Sequence, residues 1–267
     1  MKNITLGQYY DADSVIHRLD PRVKLVFTIL YIVSLYLGNS PFCYIFAGVF
    51  LFIVIRLSKV PMRYMLRGLK AVVFLLVISS VFNLFLVKGD VLIQIGSFTI
   101  TRQGVETAVR MVVRLVLLIM GSSLMTLTTT PNDLTDGLEK GLGFLKAVHV
   151  PVHEIGMMMS IALRFIPILV EEADRIMKAQ KARGADFESG GLISRAKALI
   201  PMLIPLFVAA FRRANDLALA MEARCYHGGE GRTKLHPLRY KKADFIAYGV
   251  MFLYLALMIV LKIVTKS

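Results

Sequence analysis

The sequence predicts an all-α integral membrane protein: about five transmembrane helices and a cytoplasmic helical domain containing two long, crossed amphipathic helices. Three observations predict it. Of 267 residues, 56% are hydrophobic, where a soluble domain of this size sits at roughly 45–50%. The excess is concentrated in helix-length runs with basic residues at their flanks. Two later stretches are amphipathic instead and end almost alike, in Ala179-Gln180-Lys181-Ala182-Arg183-Gly184 and Ala220-Met221-Glu222-Ala223-Arg224-Cys225.

Met1 to Asp20 are polar without an apolar core, so no cleavable signal peptide is expected. The net charge of +14 would suit nucleic acid, but the cations border apolar runs, which is the mark of membrane topology. No nucleic-acid partner is expected. Cys43 falls in a span and Cys225 at a helix end, which makes neither a disulfide framework nor a zinc site.

Runs of about 20 apolar residues span a bilayer, and five occur, at about 23–39, 41–57, 69–88, 105–127 and 244–264. The first is short, with Arg22 and Lys24 placed to snorkel toward headgroups. Asn39-Ser40-Pro41 leaves room only for a tight turn, so the first two spans form a helical hairpin. Between the second and third lie Arg56, Lys59, Arg63, Arg67 and Lys70 and no acid; between the third and fourth lie Lys88, Asp90 and Arg102. The positive-inside rule therefore puts the N-terminus and the 56–70 segment in the cytoplasm and 89–103 outside. Val91, Ile93 and Ile95, then Phe98 and Ile100, alternate around Gly96-Ser97 as a β-hairpin does. The chain thus divides into a membrane domain (1–127), a cytoplasmic domain (128–242) and a last span (243–267).

The cytoplasmic domain reads as three helices, at about 131–146, 153–183 and 194–224. Thr130-Pro131 with Asp133 starts the first, as hydroxyl cap, first-turn proline and an acid at the positive end of the dipole. The second carries Ile155, Met158, Met159, Ala162, Leu163, Ile166, Leu169, Val170, Ala173, Ile176 and Met177 on one face. At 1.5 Å per residue it is about 45 Å long. The third carries Leu203, Leu206, Phe207, Ala210, Ala214, Leu217, Ala218 and Met221. Residues 155–170 and 198–211 are apolar enough to raise a spanning alternative, but Arg164, Pro167, Pro201 and Pro205 interrupt them. The reading taken is of helices that lie along the inner membrane surface and project into the cytoplasm.

An offset of 41 residues aligns the two long helices. Ala173 then meets Ala214, Ala179 meets Ala220 and Ala182 meets Ala223; Glu171 faces Arg212, Glu172 faces Arg213 and Lys181 faces Glu222. Small residues permit close crossing, so the two are expected to pack as a crossed pair. A cation at a helix C-terminus contributes only about 0.3–1 kcal/mol, which accounts for one basic residue but not for a repeated context. An arginine fork on a helix tip can hold a carboxylate of another subunit.

Several stretches together resemble the transmembrane T component of energy-coupling factor ABC transporters of prokaryotes. They are Asp13-Ser14, His17-Arg18-Leu19-Asp20-Pro21-Arg22 with Lys24, Thr128-Thr129-Thr130-Pro131, Arg164-Phe165-Ile166-Pro167, Glu171-Glu172-Ala173, and the two arginine-ended motifs. The resemblance covers nearly the whole chain. It implies that the domain of 128–242 is a coupling domain whose tips, Ala182, Arg183 and Gly184 on one helix and Ala223, Arg224 and Cys225 on the other, enter grooves of two ABC ATPase subunits. It implies that the arginines pair with acidic groups there, and that ATP-driven motion passes to a substrate-binding membrane subunit for uptake of vitamins or other micronutrients in the cell (inner) membrane. The second motif departs from the family pattern in ending on Cys225, which questions the need for glycine there. The chain holds no Gly-x-x-x-x-Gly-Lys-Ser/Thr nucleotide motif; it is expected not to be an enzyme and to carry no cofactor, with ATP bound by the partners.

Arg110 and Arg114 lie one turn apart in the fourth span; Arg110 is expected to pair with Glu106, and Arg114 to take an interior partner or to snorkel. The five histidines show no metal spacing. The alternatives, a lipid-modifying membrane transferase and a stand-alone carrier, fare worse. The first needs clustered aspartates for magnesium and diphosphate, and the second has no use for arginine-tipped helices.

Overall fold

The computed structural model describes residues 9–38, 40–87, 89–95, 98–185, 187, 191, 193, 197–228 and 237–266. They fall into two compact units, one within Leu138–Pro237 and one of Gly7–Gly137 with Leu238–Ser267.

The larger unit is a helical bundle. It holds α1 (Pro21–Leu37), α2 (Pro41–Ser58), α3 (Met62–Leu86), α4 (Arg102–Thr128) and α8 (Lys242–Lys266). Helices α1, α2, α4 and α8 pack around one core of Tyr31, Leu35, Cys43, Ala47, Leu51, Ile55, Leu124, Leu127, Met251, Tyr254 and Met258. Tyr254 stacks on Phe50 with centroids 4.2 Å apart, and its hydroxyl shares a 2.8 Å hydrogen bond with Ser34, so its polar end is satisfied. Outward faces carry large exposed apolar side chains such as Ile29, Phe74, Phe82 and Phe252, the arrangement of helices solvated by lipid. Gly38 closes the α1–α2 hairpin because a Cβ there would stand 2.6 Å from that of Cys43.

Helices α2, α4 and α8 are each long and apolar enough to cross a membrane, and α3 qualifies as a pair of segments bent by 57°. Helix α1 has 17 residues, about 25 Å, somewhat short of the roughly 30 Å hydrocarbon thickness. Helix α3 begins at Met62 rather than near 69, so Arg63, Arg67 and Lys70 lie on a helix and not in a loop. The hairpin between α3 and α4 pairs β1 (Val91–Ile95) with β2 (Phe98–Thr101), with a register shift between Val91 and Ile93. Its expected turn, Gly96-Ser97, lies outside the described residues. Thr101 caps α4 by accepting from the Gly104 N–H at 3.1 Å.

Helix α5 (Pro131–Gly141) starts as expected: the Thr130 hydroxyl donates to Asp133 and accepts from its N–H. It does not reach 146. Gly141 and Gly143 are poor helix formers, and Leu142–Val148 tightens into a 3-10 turn. The smaller unit is then built on α6 (Val152–Ala182) and α7 (Ile200–Ala223). Helix α7 starts at Ile200 rather than 194, with Pro201 in its first turn; residues 194–196 lie outside the described residues. By length and composition α6 also meets the requirement for a span, so the sequence-based placement along the membrane surface is one of two that its composition allows.

Candidate functional site

The site is the α6–α7 pair. The Arg213 guanidinium donates to the Glu172 carboxylate at 3.0 Å, two residues separated by the offset of 41. The Gln180 side-chain amide donates to the Pro201 carbonyl at 3.3 Å. Moving from the first contact to the second runs forward along α6 and backward along α7, so the helices cross in opposite directions. Equal-offset pairing therefore holds at the crossing and not along the helices. Glu171 and Arg212 are both exposed, and Lys181 and Glu222 belong to opposite ends of the pair.

The face of α7 that is partly covered is Met202, Leu206, Ala209, Ala210, Arg213, Leu217 and Met221. Leu203, Phe207, Ala214 and Ala218, expected on that face, are exposed. The strip is rotated from the sequence-based one because the amphipathic pattern of α7 is broad: Ile200, Leu203, Ile204, Phe207, Val208 and Phe211 form a second apolar face that nothing in the unit covers.

Each tip is finished by the same device. After α6 the Gly184 N–H donates to the Lys181 carbonyl and the Ala185 N–H to the Gln180 carbonyl, both at 3.0 Å. After α7 the Cys225 N–H donates to the Glu222 carbonyl at 2.8 Å and the Tyr226 N–H to the Met221 carbonyl at 3.1 Å. This is a Schellman cap in both places, and it requires a left-handed residue. Gly184 supplies φ +87° at no steric cost; Cys225 takes φ 55° with a Cβ, a conformation that costs an L-residue roughly 1–2 kcal/mol. The motif keeps its geometry although its glycine is lost.

The caps place Ala182, Arg183 and Gly184, and Ala223, Arg224 and Cys225, in the open; all six are exposed. Each arginine follows its crossing residue, Glu172 or Arg213, by eleven positions, about 16 Å of helix. Two exposed guanidiniums thus sit on arms of equal length. Within the same unit, His153 Nδ1 lies 2.9 Å from a carboxylate oxygen of Glu139 and fixes the start of α6.

In the bundle the other motif residues form a polar clamp. The Asp244 carboxylate, 1% exposed, accepts from the Asp20 N–H at 2.8 Å and the Lys241 N–H at 2.7 Å. One side chain therefore joins the start of α1 to the start of α8. Arg22 forms a two-pronged pair with Asp20 and lies 4.0 Å over the Tyr240 ring. Lys24 is buried and donates to the carbonyls of His17 at 3.0 Å and Thr128 at 2.8 Å. The expectation that Arg22 and Lys24 snorkel outward is wrong: each has found an inward partner. The segment ahead of α1 is tied by Tyr10 N–H to Leu127 carbonyl at 2.9 Å and by a bidentate Arg18–Asp13 pair. Nε2 of His17 lies 3.0 Å from the Tyr10 carbonyl, which can only accept; in the neutral ring Nδ1 then accepts from Ser14 at 2.7 Å. Burial pushes His17 below the usual imidazole range, and Arg18 holds Asp13 below the usual carboxylate range. Sequence reasoning found no role for Asp244, since its partner lies 224 residues away.

Arg110 pairs with exposed Glu106 at 3.7 Å, as expected. Arg114 has an interior partner: its Nε donates to the Tyr44 hydroxyl at 3.0 Å, and its guanidinium lies 5.0 Å from the Tyr36 ring centroid. Among the described residues no group of three or more His, Cys, Asp or Glu side chains could hold a metal ion.

The family model for cobalt transport proteins of the CbiQ type matches residues 12–235. An energy-coupling factor transporter transmembrane protein EcfT of Thermosediminibacter oceani is 52% identical over 254 residues, covering 94% of this chain and 96% of its own. The protein of that name from Ruminiclostridium cellulolyticum is 46% identical and covers 99% of both chains. The one from Bacillus subtilis is 44% identical, covering 91% of this chain and 92% of its own. With the membrane bundle, the doubled caps and this similarity along the whole chain, the protein belongs to the EcfT family of energy-coupling factor transporter transmembrane proteins.

Proposed function

We propose that the chain is the scaffold of an energy-coupling factor ABC transporter. In this reading it transmits ATP-driven motions of two ATPase subunits to a substrate-binding membrane subunit, for uptake of vitamins or other micronutrients. The observation that carries the reading is the pair of exposed, equally capped arginine tips at equal distances from one crossing. Two like partners that close toward each other would push two such arms together, and an antiparallel crossing turns that push into a scissoring of α6 against α7. The uncovered apolar face of α7 suits a membrane subunit that follows the movement. In this reading Ala182, Arg183, Gly184, Ala223, Arg224 and Cys225 meet the ATPases on the cytoplasmic side. Arg114, tied to Tyr44, keeps a structural role inside the bundle.

The test is to express the chain with the ATPase subunits and purify through a tag on this chain alone. ATP hydrolysis that accompanies the tagged chain, and uptake into vesicles only when a substrate-binding subunit is added, supports the reading. A chain that moves solute unaided, or modifies lipid without nucleotide, contradicts it and returns the question to a carrier or a transferase.

A further inference from the structure

We propose that the α2–α3 corner is a binding site for anionic phospholipid headgroups. Arg56, Lys59, Arg63, Arg67 and Lys70 are all exposed, and no acid lies between Arg56 and Lys70. Among the described residues none of the five is within ion-pair distance of a carboxylate; Asp13, whose charge senses Lys59, is committed to Arg18. Helix α3 has no acid in its first turn but has Arg63 there and Arg67 in the next. The positive end of the helix dipole disfavours cations, so local stability does not account for them. Topology favours basic residues in this segment, and an anion set against the start of α3 would meet both the dipole and the cations.

The corner is held rigid. Ser58, Val60 and Met65 are buried, the Ser58 hydroxyl donates to the Ile55 carbonyl at 2.7 Å, and Lys59 adopts the left-handed conformation that turns the chain. The exposed surface between the cations is apolar: Leu57, Met62 and Leu66. Arg56 lies 5.1 Å from the Phe52 ring centroid and Arg67 5.1 Å from that of Tyr64. Aromatic and long apolar side chains interleaved with arginine forks, at the joint of two membrane-spanning segments, match a molecule with a phosphate above and acyl chains below. A soluble acidic protein would leave the apolar residues unused. The inference does not depend on the coupling reading.

The experiment is native mass spectrometry of the purified, delipidated protein titrated with phosphatidylglycerol or phosphatidylcholine. The unaltered protein is expected to retain phosphatidylglycerol with a preference of about tenfold or more, since each surface cation contributes up to roughly fivefold. The Lys59→Gln/Arg63→Gln/Arg67→Gln protein is expected to lose most of that preference while its melting temperature in phosphatidylcholine nanodiscs stays unchanged. Arg102→Gln/Arg110→Gln, which removes the same kind of charge elsewhere, is expected to keep it. Equal retention of both lipids by the unaltered protein, or an unchanged preference in the triple variant, overturns the proposal. Loss of ATPase subunits from the triple variant without loss of lipid does too, by assigning the corner to a protein.

Discussion

The bundle and the paired helices solve the problem of burial in opposite ways. In the bundle, tyrosines, a serine and charged groups are buried with partners drawn from distant parts of the chain, as Asp244 with Asp20 and Lys24 with Thr128. In the pair, α6 buries only Val152 and Gly156, and α7 buries no residue at all. A 24-residue apolar helix with nothing buried is an incomplete structure. Its stability has to come from what it meets, whereas the bundle is finished by itself.

That contrast is broken most easily at the clamp. Asp244→Ala leaves two backbone N–H groups without an acceptor, and is expected to cost about 2–4 kcal/mol, read as a large fall in melting temperature in nanodiscs. Asp244→Asn keeps an acceptor for only one of the two N–H groups and sets an NH2 donor against the other, so it should also destabilise strongly, whereas Asp244→Glu, which keeps both acceptor oxygens, should lose less. Equal losses in Asp244→Ala and Asp244→Glu would mean that the position of the carboxylate, and not its two acceptors alone, holds the clamp.

The caps sharpen the comparison within the pair. Cys225→Gly relieves a left-handed side chain and is expected to stabilise the end of α7 by about 1 kcal/mol, and Gly184→Ala to destabilise the end of α6 by about as much. Amide exchange at Tyr226 and Ala185 should move about fivefold in opposite directions. A smaller effect is expected at the crossing, where Glu172 and Arg213 are partly exposed. Exchanging the two residues should recover about 0.5 kcal/mol lost in either single reversal, measured as a double-mutant cycle. No recovery would place the contact outside the energetics of the pair.

The smallest effect is from pH. His17 titrates below its unfolded value of 6.5 because burial disfavours the charged ring. Its contribution to stability is therefore complete above about pH 6.5 and is lost as the pH falls through the lower, folded value. Exchange of the Tyr10 amide should quicken across that window, and not in a His17→Gln protein.

What could be read from the sequence follows from how local each signal is. The helices of the expected spans, the pairing of the two strands and the Thr130 cap depend on neighbours in the chain and stand in the structure; α1, at 17 residues, is short for a span, and α3 qualifies only as a bent pair of segments. The offset of 41 residues found Glu172 and Arg213, because a repeat records itself in sequence. It did not give the direction of crossing, which depends on the path of the connection. Snorkelling was the wrong expectation for Lys24 because the carbonyls it reaches, on His17 and Thr128, come together only when α1 and α4 pack. The cap at Cys225 was hidden because sequence shows a missing glycine, while only φ shows that the cysteine takes its place.

The most direct test of the account is the protein carrying Arg183→Glu and Arg224→Glu, purified through its tag from cells that also make the ATPase subunits. Both sites are exposed and belong to the smaller unit, and neither is a residue of the bundle core, so the chain should insert and melt as before while the ATPases no longer accompany it. Full recovery of the ATPases with the doubly reversed protein would contradict the claim that these two tips are where the motion enters.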